Sequence, residues 1–252
     1  MTETMSKSAA LSREAEDLAT RPKIVGASVK RTEDPRLLTG NGAFVDDRKA
    51  PGVLHVAFRR SDHPHALIKS IDCDAARKAD GVVAVFTADD MSDVNAVFAT
   101  SRMKNYHATP ITALATAKVR YVGEPVVGVI ARSRYLAEDA LELIDIAYDP
   151  LAVVIDPEQA AAPSAALLHD DAGTNVLCSR EFRTGDADAA IASAAVRVSG
   201  RFRFHRKTPT AMENRTYLAE YEPGRDELTL FTSSQVPGII RDALSDALHM
   251  PG

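Results

Sequence analysis

Few side chains in this sequence are spaced so as to do chemistry, and the most telling of them is an amide. Gln235, preceded by Ser234, falls where a β-type pattern gives way to a terminal helical pattern. At such a junction free backbone N–H groups and the positive end of the helix dipole favour anionic groups. A carboxamide placed there can donate a hydrogen bond to a metal-oxo ligand, or it can simply cap the helix or bridge the loop. His63 and His65 flank Pro64. An H-x-H pair holds a metal only when a third ligand arrives, and no carboxylate or HExxH partner is close in sequence, so both histidines read as structural. Glu124, between Gly123 and Pro125, reads as a turn residue holding backbone N–H groups rather than as an acid catalyst. Glu213, after Met212, reads as a packing or ion-pair residue, with the edge of a site as its alternative. Arg201, Arg203, His205, Arg206 and Lys207 form a basic cluster. Its alternation suggests a solvated strand face; the functional alternative is a surface for an acidic phosphate or an acidic partner.

The elements that must position these groups follow from periodicity. Residues 1–21 read as a disordered tail, and Ile24–Asp47 as an extended opening segment in which Pro35 disfavours a helix. Leu54, Val56 and Phe58 alternate with polar or small residues, as in a half-buried strand. Ile68–Ile71 is a second strand. Val82–Phe86 and Val126–Ala131 are continuous and apolar, as strands buried on both faces are. Residues 92–118 look irregular, and Val119–Val122 is another strand. Ser133 can cap a helix over Arg134–Tyr148, with Leu136, Ala140, Leu143 and Ala147 on one face, followed by a short strand at Ala152–Ile155. Residues 158–176, rich in Ala, Pro, Asp and Gly, read as a linker. Beyond it Asp186 caps a short helix over about 187–195. A clean alternation at 196–204 (Val196, Val198, Gly200, Phe202, Phe204) marks an amphipathic strand. Two further strands, Thr216–Glu222 and Glu227–Thr232, join through a turn at 223–226. The closing helix begins at Pro237 and carries an apolar stripe of Ile239, Ile240, Ala243, Leu244, Ala247 and Leu248.

Composition narrows the classes. The chain has 252 residues, 45% of them hydrophobic, enough for one large domain or two modest ones. A net charge of -5 argues against a general nucleic-acid binder. Cys73 and Cys178 form no C-x-x-C pair, so an iron–sulfur cluster cannot be built from this chain alone. Both read as reduced thiols of a cytoplasmic protein. No apolar run approaches the ~20 residues of a membrane span.

Four stretches taken together resemble one family. They are Gly26-Ala-Ser-Val-Lys-Arg-Thr-Glu-Asp-Pro-Arg-Leu-Leu-Thr-Gly-Asn-Gly-Ala-Phe-Val-Asp46, then Gly52-Val-Leu-His-Val-Ala-Phe-Arg-Arg-Ser-Asp-His-Pro-His-Ala66. The third is Val119-Arg-Tyr-Val-Gly-Glu-Pro-Val-Val-Gly-Val-Ile-Ala131 with Tyr135-Leu-Ala-Glu-Asp-Ala140. The fourth runs from Ala211-Met-Glu-Asn-Arg215 to Thr232-Ser-Ser-Gln-Val-Pro237. In this order the chain resembles the N-terminal portion of molybdenum hydroxylase large subunits, the xanthine dehydrogenase, aldehyde oxidase and aerobic CO dehydrogenase family. It departs at Asp62 and Asn214, where such proteins usually have proline.

The resemblance implies an α+β fold: an α/β-hammerhead domain at 22–157, a linker at 158–176, and the first part of a molybdopterin-binding domain at 177–252. It implies an oxidoreductase component that hydroxylates an aldehyde or N-heteroaromatic carbon, or oxidises CO, with water as the oxygen source. It places Gln235 beside a molybdenum oxo group, with Ser234 next to it. The cofactor would be a molybdopterin, as the cytosine dinucleotide form. The expected partners are a C-terminal molybdopterin-binding half, an iron–sulfur subunit with [2Fe–2S] clusters and an FAD subunit. The family's glycine-rich loop, substrate loop and glutamate base are not in this sequence, so the chain is expected to be incomplete as an enzyme. The alternative is a non-catalytic scaffold or assembly module.

Overall fold

The computed structural model describes residue 24, residues 27–99, 101, 103 and 105–252. The disordered tail expected at 1–21 lies outside them. In chain order the elements are α1 (Asp34–Leu38), β1 (His55–Arg60), β2 (Ala66–Asp72), α2 (Asp74–Arg77), β3 (Val82–Phe86), β4 (Val97–Phe98) and β5 (Pro110–Ile111). There follow β6 (Lys118–Val119), β7 (Pro125–Ala131), α3 (Arg134–Leu141), β8 (Asp145–Pro150), α4 (Pro157–Ala160) and α5 (Ala187–Ser193). The last are β9 (Tyr217–Glu222), β10 (Glu227–Thr232) and α6 (Pro237–Leu248). The chain divides into two compact units, Met1–Arg48 with Thr216–Phe231, and Lys49–Arg215 with Thr232–Gly252.

The larger unit holds the core. One sheet has the order β1-β7-β3 and a second the order β6-β2-β8, with antiparallel neighbours throughout. β7 is central because its sequence allows it: Val126, Val127 and Val129 are fully buried, and a strand covered on both sides has no use for polar residues. Around them pack Ala66, Cys73, Ala76, Val85, Ala115, Val119, Ala140 and Ile144. In register, Gly128 of β7 lies between Phe58 of β1 and Phe86 of β3. A side chain at 128 would meet the Phe86 ring at 2.1 Å, so the glycine is what admits the aromatic. α3 starts where Ser133 Oγ accepts the Leu136 N–H, and it lies against β1 and β7 through Ala137 and Ala140.

Several expectations need correction. The helix read over 134–148 stops at Leu141, and Asp145–Pro150 is a strand paired with β2. Ile144, Ile146 and Tyr148 repeat every second residue, so β2 captures this stretch and turns Leu143 and Ala147 outward. β3 is not covered on both faces: it is an edge strand, and Val83 is 53% exposed. Tyr121 and Val122, read as strand, lie exposed in the turn that Gly123 closes with φ +92°. Residues 152–155 form no strand, because Ala152 gives its carbonyl to the His65 ring instead. The irregular stretch at 92–118 contains the short β4–β5 pair. Pro35 does not prevent α1; it stands in the first turn, where its missing N–H is not needed.

The largest correction is at 196–204. The alternation is clean, yet no strand forms there, and Val196, Val198, Phe202 and Phe204 are 78%, 92%, 85% and 87% exposed. A strand exists only through its neighbour's ladder, and the described residues supply none.

The smaller unit holds α1, the Val45–Asp47 turn of 3-10 helix and the β9–β10 pair. Within it the Arg48 guanidinium lies 4.0 Å over the Phe231 ring.

Candidate functional site

The chain leaves β10 at Thr232 and enters α6 at Pro237, as the sequence suggests. Ser234 Oγ accepts the Val236 N–H at 3.0 Å, and that bond shapes the loop before the helix. Val236 is the N-cap and offers no side-chain acceptor, and no acid occupies the first turn. The α6 N-terminus therefore keeps its positive character and its unmatched N–H groups. Gln235 is exposed, and among the described residues its amide has no hydrogen-bond partner. It neither caps the helix nor ties down the loop. Gly238, three residues on, has open space where a side chain would project.

The far end of α6 is fixed firmly. Asn95 donates through its backbone N to Ala247 O and through Nδ2 to Asp246 O, both at 3.0 Å. Ala247 is buried and Ile240, Ala243 and Leu244 are half-buried, while Ile239 and Leu248 remain open. The helix holds its N-terminus out from a seated C-terminus.

The other candidates fall elsewhere. His65 is buried, its Nδ1–H donating to Ala152 O at 2.7 Å, and His63 packs against Tyr148 with ring centroids 4.8 Å apart and planes tilted by 49°. Both serve packing. Glu124 is buried; its carboxylate accepts the Arg120 N–H, and its backbone carbonyl accepts the Ser61 N–H. That is the turn role read from sequence. Burial pushes the Glu124 carboxyl up, against the opposing pull of the Arg120 N–H and guanidinium. Glu213 is half-buried and Met212 exposed. Within the basic cluster, Arg201 pairs with Glu158, and Arg203 with Asp156 at 3.7 Å. Cys73 is buried and its thiol is pushed up by desolvation; Cys178 is exposed.

Sequence reading missed a set of polar ties at 166–175. Buried Lys118 reaches Asp170, and the ammonium holds the Asp170 carboxyl below its usual range. Arg120 donates to Leu168 O at 3.0 Å, and Asn175 bonds Leu168 N, Ala160 O and Ala166 O. No periodicity announces such contacts, because each joins a loop to a strand end. Among the described residues no three His, Cys, Asp or Glu side chains gather to hold a metal ion. What the chain offers at α6 is hydrogen-bond donors: a carboxamide, backbone N–H groups and a helix dipole.

Comparison with known proteins bears on these features. Residues 39–152 match the family model described as aldehyde oxidase and xanthine dehydrogenase, a/b hammerhead domain. Residues 168–252 match the molybdopterin cofactor-binding domain. The chain is 36% identical over 240 residues to the carbon monoxide dehydrogenase large chain of Afipia carboxidovorans, covering 90% of this chain and 29% of that one. It is 38% identical to the nicotine 6-hydroxylase large subunit of Paenarthrobacter nicotinovorans, covering 88% of this chain and 27% of that one. Among solved structures, quinoline 2-oxidoreductase from Pseudomonas putida 86 superposes with a TM-score of 0.82 at 35% identity, over 90% of this chain and 29% of that chain. The chain thus spans under a third of the length of these three relatives. No helix among the described residues is long and apolar enough to cross a membrane.

Proposed function

The chain belongs to the molybdenum hydroxylase large-subunit family, and from that premise we propose that it supplies part of an oxidoreductase rather than the whole of one. Its contribution is a hammerhead domain at 22–157, a connecting segment at 158–176 and the first part of the molybdopterin-binding domain at 177–252. The matches to this family's domain models over 39–152 and 168–252 support the reading. The complete assembly would hydroxylate an aldehyde or N-heteroaromatic carbon, or oxidise CO, with water as the oxygen source. It would work in the cytoplasm, with a C-terminal molybdopterin-binding half and with subunits carrying [2Fe–2S] clusters and FAD.

The molybdopterin, in its cytosine dinucleotide form, would supply two-electron oxidation at the metal. This chain's own residues would bind and orient it. Gln235 would donate from its amide to an oxo group, Ser234 would hold the loop that presents the amide, and the α6 N-terminus would favour the negative charge. The observation that carries the reading is the Gln235 amide, which meets no partner among the described residues at a helix start that no side chain caps.

The test is co-expression with the neighbouring genes, followed by metal and pterin analysis of the purified complex. The complex should hold molybdenum in proportion to this chain. Gln235→Ala should lower turnover about a hundredfold, the loss typical of one transition-state donor. A complex that forms and holds molybdenum without this chain, or a Gln235→Ala complex with unchanged turnover, would refute the proposal. Assays on CO, an aldehyde and an N-heteroaromatic separate the substrate classes.

A further inference from the structure

α6 is held from one end. Ala247 is buried and Ala243, Leu244 and Ser245 are half-buried, while the first turn, Pro237, Gly238 and Ile239, is exposed. A helix leaves its last carbonyls without partners of its own. Here Ser245 O accepts the His249 and Met250 N–H groups. Asp246 O and Ala247 O are taken by one residue of the hammerhead, Asn95, through its side-chain Nδ2 and its backbone N, both at 3.0 Å. Asn95 is itself braced. The Thr87 N–H and hydroxyl donate to the Asp90 carboxylate at 2.7 and 3.1 Å, the Met91 N–H to Ala88 O, and the Val94 N–H to Met91 O. This turn runs directly from the end of β3 to Asn95, and the chain then enters β4, which is paired with β5. Asn95 and α6 both belong to the larger unit.

Gln235 moves with α6. Ser234 Oγ accepts the Val236 N–H, Val236 O accepts the Ile240 N–H, and the Pro237 ring locks the backbone between them. The 12 residues of α6 span about 18 Å, so a tilt of about 3° at its seat carries the other end through about 1 Å. A misplacement of that size can cost about a hundredfold in rate. We infer that Asn95 is a positioning residue: its grip on the C-terminal end of α6 sets where the Gln235 amide stands at the other end. The inference rests on the role proposed for Gln235 above. It adds that the hammerhead, through one asparagine a whole helix away, aims a donor of the molybdopterin-binding domain.

The test is Asn95→Ala in the co-expressed complex, alone and combined with Gln235→Ala. Asn95 is exposed, so its loss should leave the fold and the molybdenum content intact. Turnover should fall about tenfold in kcat with KM unchanged. In the Gln235→Ala background Asn95→Ala should cost nothing further, because two residues acting through one amide are not additive. The electron paramagnetic resonance spectrum of the molybdenum should change alike in both single variants. Asn95→Gln, which keeps the amide donor, should recover most of the loss. Asn95→Asp, which turns a carboxylate toward a carbonyl and the negative helix end, should lose at least as much as Asn95→Ala. Asn175→Ala is the control for a merely structural role: it breaks three hydrogen bonds away from α6 and should lower the melting temperature with kcat unchanged. If Asn95→Ala behaves like that control, or if its loss adds in full to that of Gln235→Ala, the inference is overturned while the role of Gln235 stands. If Gln235→Ala itself leaves turnover unchanged, both fall together.

Discussion

At the scale of single residues, burial and exposure separate what holds the chain from what it presents. Glu124 holds: its carboxyl is buried, accepts the Arg120 N–H and is pushed up mainly by desolvation. An acid whose folded value lies above its unfolded one keeps a proton in the folded state that the unfolded chain has released. Its contribution to stability is therefore complete below about 4.5, the unfolded value, and is lost as pH rises through the folded value. Glu124→Gln keeps an acceptor for Arg120 and never ionises. Thermal melts across a pH series should converge for the two proteins below pH 4.5, with the variant gaining on the wild type as pH rises. Parallel curves would show that the carboxyl titrates alike in both states. The half-buried Asp156 and the exposed Asp170 act in the other window. Their carboxyls are lowered, so their contribution is lost as pH falls below about 3.8, and both proteins share it. Glu124 was legible from sequence because Gly-Glu-Pro is a turn with a carboxylate in it. Gln235 was legible as a place more than as a role: its junction can be read from the patterns, but its open amide needs coordinates.

At the scale of elements, the sheet depends on a missing side chain. Gly128 occupies the centre of β7, and the Phe86 ring fills the space above it. Gly128→Ala would push a methyl group into that ring and move Phe86 off its neighbours. Overpacking of this kind costs about 1–3 kcal/mol, so urea midpoints should fall clearly while the m-value stays the same. An unchanged midpoint would mean that the ring has somewhere else to go. The same sheets explain where periodicity misled. The 134–148 stretch fits helical spacing at four positions, yet its second half also repeats every two residues, and β2 decides between them. Local pattern cannot rank a helix against a strand when the partner edge, from Asp72 opposite Asp145 to Ala66 opposite Pro150, is so far away in sequence. β7 and α6 were readable because each carries its own evidence: an unbroken apolar run in one, a proline start and one apolar face in the other. The 196–204 alternation fails for the complementary reason. Its pattern specifies a strand, but the ladder that makes one is not among these residues.

At the scale of the whole molecule, the chain contrasts a sealed hammerhead core with an open stretch beyond α5. From 195 to 215 the described backbone enters no helix or strand, and the basic residues Arg197, Arg201, Arg203, Arg206 and Lys207 all stand exposed there. Segments without backbone ladders or buried contacts open at little cost, and proteases find them first. The hammerhead also contains many lysines and arginines, but cutting Lys118 or Arg120 requires breaking their ties to Asp170 and Leu168 and opening the core around Val119. Brief trypsin treatment of the chain alone should therefore cut within 197–207, leaving an amino-terminal fragment that keeps the two three-stranded sheets. Mass spectrometry of the early products reads the order of cuts directly. If the first cuts fell inside 55–150, the sheets would be less stable than their packing indicates. Protection of 197–207 with no partner present would mean that the chain covers its own arginine row. The early cleavage map thus measures how far the chain protects the 195–215 stretch by its own contacts.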